Sequence, residues 1–232
     1  SQFYDIPDFL AEHVKTERQA RILPWRGIGA SYTSFAAEAF IDEIATQAGI
    51  DPFEFRRSIM VESPRSTALI NRVEQMAAAV PLSEGRARGF AFAGYGDTPA
   101  AGIAEISVDK SAGTIRVHHV WIAVDAGQII SPDNAMNQIE GGVLWGVSSA
   151  LFERVTITNG EVDQENFYDY PILRMPEMPV VEVHIVPSTE APTGVGEPGV
   201  PPIAPALVNA LFAATGRRFR ELPLGPRLDL SG

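Results

Sequence analysis

The sequence predicts an α+β protein with an antiparallel or mixed sheet and helices packed on it. Three observations carry that expectation. Apolar residues recur at helical spacing before residue 80, period-two alternation takes over from residue 88, and a Gly- and Pro-punctuated loop leads into an apolar helix near the C-terminus.

In chain order, "SFAAEAFIDEIATQA" over 34–48 sets Phe35, Ala39, Phe40, Ile44 and Ala48 on one helical face, and Gly49 ends the helix. Asp51 as cap, Pro52 at the first helical position and Glu54 two residues on open a second helix. Ser63 and Pro64 repeat that grammar for a third, which turns Leu69, Ile70, Val73 and Met76 inward, so 34–80 reads as helical. "PLSEGRAR" is the expected linker. Beyond it "RGFAFAGYG", "AGIAEISVD" and, after the turn "KSAG", "TIRVHHVWIAVD" read as a β-meander. Ser131 and Pro132 start a fourth helix, Asn159-Gly160 marks a hairpin and "VVEVHIVP" adds a strand. Ile203 to Thr215 forms a buried helix with Pro205 in its first turn and Gly216 as its stop. No internal repeat or low-complexity segment interrupts this order. The switch in periodicity divides a mainly helical part, 1–86, from an α+β part, 87–232.

Composition narrows the function. The chain has 232 residues, 45% hydrophobic and 20% charged, enough for a sizeable core. Its net charge of -11, without a basic run, argues against a nucleic-acid backbone or an anionic membrane as partner. The absence of cysteine excludes disulfides, thiolate zinc sites and iron–sulfur ligation within this chain. No apolar run reaches the ~20 residues of a membrane span. The opening "SQFYDIPDFLAEHV" has a mid-strand pattern and reads like the interior of a longer polypeptide.

Four stretches can carry chemistry. In "TGVGEPGVPP", Glu197 stands in a loop that Gly194, Gly196 and Gly199 bend and Pro198, Pro201 and Pro202 stiffen, just before a helix. Such a carboxylate caps the helix, pairs with a neighbouring loop, or acts as a general base. In "PWRGIGASYTSF", Arg26, Gly27 and Gly29 enter a helix whose first amides can bind an anion, although tight turns use the same residues. In "NAMNQIEGGVLWG", Gln138 precedes Gly141, Gly142 and Gly146 on one helix, so another element or a ligand must approach that face closely. "NFYDYPILRMPEMP" is too irregular for a helix and brings Tyr168, Asp169, Tyr170 and Arg174 to a segment that lines a pocket or packs its aromatics. His118 and His119 point to opposite faces of a strand, and no histidine pair has metal-ligand spacing.

The stretches "PWRGIGASYTSFAAEAFIDEIATQAGIDPFEFRRSIM", "VDAGQIISPDNAMNQIEGGVLWGVSSALF" and "GVGEPGVPPIAPALVNALFAATGRRFRELPL" together resemble the molybdenum-binding large subunit of the xanthine oxidase and aldehyde oxidase family. The isoquinoline 1-oxidoreductase beta-subunit type is the most similar branch. The likeness implies that Glu197 is the general base, that the backbone near Arg26 and Gly27 approaches the metal's ligands, and that Gln138 and Gly196 contact the pterin. The likeness also implies that no protein side chain ligates the metal. It further implies hydroxylation of an N-heteroaromatic ring or an aldehyde with water as oxygen source, and a molybdenum-pterin cofactor, in its cytosine dinucleotide form. Iron–sulfur clusters would sit on a small partner subunit. Such large subunits carry a Gly-Gln-Gly cofactor loop that this sequence lacks. The chain therefore resembles their C-terminal portion, expected to be inactive alone and to join the rest of the subunit or self-associate, in bacterial cytoplasm or periplasm. Two rivals remain: a metal-free hydrolase or isomerase with Glu197 as base and Asp169 or Tyr170 as acid, and a non-catalytic assembly module.

Overall fold

The computed structural model describes residues 3–14, 23–61, 63–225 and 228. Three helices come first, α1 (Ile28–Ala48), α2 (Pro52–Ser58) and α3 (Pro64–Ala78). Three antiparallel strands follow, β1 (Arg86–Tyr95), β2 (Thr98–Asp109) and β3 (Thr114–Val124). Then come α4 (Pro132–Leu151), the short hairpin β4 (Ile157–Thr158) and β5 (Glu161–Val162), β6 (Val180–Ile185) and α5 (Ile203–Thr215). β6 lies parallel to β3, so the main sheet is mixed and ordered β1-β2-β3-β6.

The alternation seen in the sequence builds two cores, one on each face of this sheet. Ala91, Ala100, Ile106, Val120, Ile122 and Val124 face α4 and α5, while Phe90, Phe92, Ile103, Trp121 and Ala123 face α3 and Ile41 of α1. An irregularity between Glu105 and Ile106 shifts the β2–β3 register by one residue, which keeps Ile106 and Val117 on the α4–α5 side. α5 lies against β1 so closely that a Cβ on Gly89 would sit 2.0 Å from the Ala210 nitrogen.

The local signals for α2, α3, α4 and α5 hold at their starts. Asp51 accepts hydrogen bonds from the Phe53 and Glu54 amides at 2.9 and 3.1 Å, and Gly216 closes α5 at φ 74°. Asn159 and Gly160 both have positive φ in the β4–β5 turn, as a two-residue hairpin turn requires.

Four sequence expectations are corrected. α1 begins at Ile28 rather than residue 34, because Gly27 takes a left-handed conformation (φ 88°) that starts the helix without a side-chain cap. Its buried stripe is Glu38, Ile41, Asp42 and Ala45, while Phe40 is 59% exposed and Ile44 also faces outward. The polar members of that stripe are buried because they are paired: the Arg56 Nε donates to Glu38 Oε2 at 2.9 Å and the Phe92 amide to the same oxygen at 2.8 Å. The linker is shorter than "PLSEGRAR", since Arg86 already pairs with Ser107. The described residues 3–14 form no strand, although Tyr4 is buried and its hydroxyl donates to Glu38. Among the described residues no helix is long and apolar enough to cross a membrane.

Candidate active site

Three segments far apart in sequence meet at the Arg26 side chain. Its Nε donates to the Gly196 carbonyl at 2.7 Å and its Nη2 to the Gln138 carbonyl at 2.9 Å. One guanidinium thus ties the loop before α1 to the middle of α4 and to the Glu197 loop. Partial burial lowers the Arg26 pKa from its ordinary value, and the nearby Glu197 charge works against that shift. The guanidinium also lies 5.6 Å from the centroid of the Trp145 ring, which in turn meets Trp25 at 5.1 Å.

The glycines noted in α4 make this meeting possible. A Cβ on Gly142 would stand 3.1 Å from Gly199 Cα, and one on Gly146 2.8 Å from Ile203 Cβ. From the other side, a Cβ on Gly199 would stand 2.6 Å from the Ile139 carbonyl oxygen. The element that approaches α4 is therefore the end of the Glu197 loop and the first residue of α5. Replacement of Gly199 by Ala is expected to push this loop off α4 and to destabilise the fold by about 1–3 kcal/mol through overpacking. Thermal unfolding checks this, and an unchanged midpoint would contradict the contact.

The rest of the loop is held at its upstream end. The Thr98 hydroxyl, buried at the start of β2, donates to the Gly194 carbonyl at 2.9 Å, and the Thr193 amide donates to the Ala126 carbonyl at 2.9 Å. The Val200 amide closes the turn onto the Glu197 carbonyl at 2.9 Å. Pinned at both ends, the loop presents Glu197 half-buried, and no described residue donates a hydrogen bond to its carboxylate. Glu197 does not cap α5, whose N-terminus has no side-chain cap.

The other expected site residues fall beside it. Gly27 is buried at the α1 entrance and packs against Val200. The Gln138 side chain is exposed, and a Cβ on Gly196 would come within 3.9 Å of its Nε2. A half-open cleft of 540 Å³, lined by Trp25, Ile28, Tyr32, Glu153, Val200 and Leu222, adjoins the Arg26 loop. Neither Glu197 nor Gln138 lines it.

Asp169 and Tyr170 are engaged elsewhere. Asp169 accepts from the Glu165 and Asn166 amides at 2.8 and 2.9 Å, and these hold its carboxyl below the usual range. The Tyr170 hydroxyl donates to Glu153 at 2.7 Å, and burial with that carboxylate pushes its pKa up to about 12. Each is thus already bonded to a partner other than Glu197. Sequence reasoning missed Trp145, whose ring lies beside the Arg26 guanidinium; its position three to four residues beyond Gly141 and Gly142 on the same helix was the available signal.

The architecture matches solved oxidoreductase structures at the level of fold. Quinoline 2-oxidoreductase from Pseudomonas putida 86 superposes with a TM-score of 0.76 at 14% identity, over 87% of this chain and 52% of that one. Aldehyde oxidoreductase from Desulfovibrio gigas does so with 0.74 at 14% identity, over 87% and 40%. The family described as molybdopterin cofactor-binding domain matches residues 41–179, and the chain belongs to it. The isoquinoline 1-oxidoreductase beta subunit of Brevundimonas diminuta is 36% identical over 229 residues, 97% of this chain but 29% of that relative. A nicotinate dehydrogenase subunit of Pseudomonas putida is 38% identical over 218 residues, 86% of this chain and 18% of that protein. The chain thus spans less than a third of the curated relatives it matches.

Proposed function

We propose that this chain is the C-terminal portion of a molybdenum hydroxylase large subunit, acting on N-heteroaromatic rings or aldehydes, with Glu197 as its general base. The observation that carries this reading is the Arg26 bridge, which draws Gln138, Gly196 and Glu197 to one place from three segments. The residues present fit one side of a pterin. An exposed amide on Gln138, a small Gly196 beside it and the uncapped first turn of α1 offer donors and acceptors without bulk.

When bound, the molybdenum cofactor supplies the two-electron redox chemistry, and water supplies the oxygen. Glu197, with no internal donor on its carboxylate, takes up a proton at an Oε atom from the attacking water. Arg26 and Gly27 fix the entrance loop, and Arg26 balances the Glu197 charge. Gln138 and Gly196 would contact the pterin, for which the reading favours the cytosine dinucleotide form. The part over 1–86 contributes the Arg26 loop and the part over 87–232 contributes Gln138 and Glu197. This portion holds no cysteine to ligate an iron–sulfur cluster, and the reading assigns such clusters, which would supply one-electron transfer, to a small partner subunit.

A dinucleotide needs amides and side chains converging from several segments. The chain by itself, without a Gly-Gln-Gly segment and with net charge -11, is expected to purify free of molybdenum and without hydroxylase activity. The natively assembled protein is expected to contain about one molybdenum per large subunit. Elemental analysis of both preparations decides the matter: a metal-free native assembly refutes the reading, and near-stoichiometric metal in the chain alone refutes its incompleteness.

A further inference from the structure

β1 is an edge strand, and its outer edge is closed along only part of its length. The Phe90 carbonyl accepts from the Asn209 side chain at 3.0 Å, and the Phe92 amide donates to buried Glu38 at 2.8 Å. Main-chain groups two residues apart share an edge, so the Gly94 N–H and C=O face the same way. Pro99, opposite Gly94 in β2, turns its carbonyl the other way to accept from the Asp125 amide at 3.2 Å, and among the described residues no other element bonds to the Gly94 main chain. At that point the strand edge borders a groove of 630 Å³. Its far wall is the Ala30, Ser34 and Ala37 side of α1, and Phe3, Phe9 and Phe40 stand around it. Phe9 and Phe40 are 62% and 59% exposed. No lysine or proline blunts this end of the edge, as isolated edge strands usually require.

We propose that this groove receives an extended segment of the subunit's remaining polypeptide, which adds to the sheet as a strand paired with Gly94 and buries its apolar side chains among the three phenylalanines. The inference rests on the functional reading above, in which the chain is one portion of a larger subunit. Two features favour that occupant. The relative that matches nearly all of this chain is more than three times as long, so ample polypeptide exists to fill the groove. The groove also combines a main-chain donor and acceptor with small and aromatic walls, the chemistry that recognises an extended peptide rather than a soluble ion or sugar.

Amide hydrogen exchange over the Phe90–Tyr95 segment tests this directly. The Gly94 amide is expected to exchange at least ~100-fold more slowly in the complete subunit than in this chain alone. Ala36→Arg, at an exposed position on the groove wall, is expected to abolish most of that protection while leaving the circular dichroism and unfolding midpoint of the chain unchanged. Equal exchange in the two preparations overturns the proposal. Protection that appears in the chain alone and grows with its concentration also overturns it, because a second copy would then be the occupant. Molybdenum content of the same complete subunit is read separately, so failure of the groove and failure of the functional reading are told apart.

Discussion

Replacement of Glu197 by Gln in the complete enzyme is expected to lower turnover by about 10²–10⁴-fold while molybdenum content stays unchanged. The substitution keeps the side chain's size and shape and removes its capacity to accept a proton. It disturbs little else, because the loop is held through main-chain contacts: Gly196 to Arg26, Gly194 to Thr98 and Glu197 to Val200. No described residue depends on the carboxylate for a hydrogen bond. Turnover and metal content measured on one preparation separate the roles. Near-normal turnover would sink the assignment of the base and favour an assembly module, whereas loss of metal together with activity would make Glu197 a cofactor-holding residue instead.

The largest stability effect is expected at Arg56, far from that chemistry. Its side chain is fully buried, with Nε donating to Glu38 Oε2 at 2.9 Å and Nη1 and Nη2 donating to the Pro52 and Glu38 carbonyls at 3.1 Å. Glu38 in turn holds the Tyr4 hydroxyl and the Phe92 amide, so one ion pair joins the opening segment, α1, α2 and β1. Burial, and then the Glu38 charge, push the Tyr4 pKa well above its ordinary value, so the phenol remains a donor. Arg56→Leu removes the cation and leaves the Glu38 carboxylate in a dry site. Breaking a buried pair from one side typically costs about 3–5 kcal/mol. Urea unfolding of the chain measures this, and a loss below about 1 kcal/mol would show that water reaches Glu38 once Arg56 is gone.

The segments of the site are readable in the sequence, and their meeting is not. Glycines and prolines around Glu197 announce a shaped loop, and three glycines on one helix announce a close approach. Neither pattern names the partner, since the contacts of Gly142 with Gly199 and of Arg26 with Gly196 join residues 57 and 170 positions apart. Trp145 escapes notice for the same reason: its place one turn beyond Gly141 and Gly142 marks the face of close approach, but nothing local says that a guanidinium lies there.

The α1 helix shows where period-based reading fails. Counting apolar side chains turns Phe40 and Ile44 inward, and the buried face is instead built on Glu38 and Asp42. Hydrophobic periodicity treats a carboxylate as surface, because its burial is costly unless a partner compensates it. Arg56, 18 residues on, and Arg218, which donates to Asp42 at 2.6 Å, are those partners.

What the sequence determined by itself is therefore local: helix starts with a proline in the first turn, left-handed glycines at helix ends, the alternation of the strands and the stiffness of the Glu197 loop. Each follows from steric limits on a few adjacent residues, so it is written wherever those residues stand. The tertiary structure alone decided that β6 joins the meander in parallel, which face of α1 is buried, and that Arg26 gathers Gln138, Gly196 and Glu197 into one site. Those outcomes depend on desolvation and on hydrogen bonds between distant segments, whose energies exist only once the chain has brought the partners together.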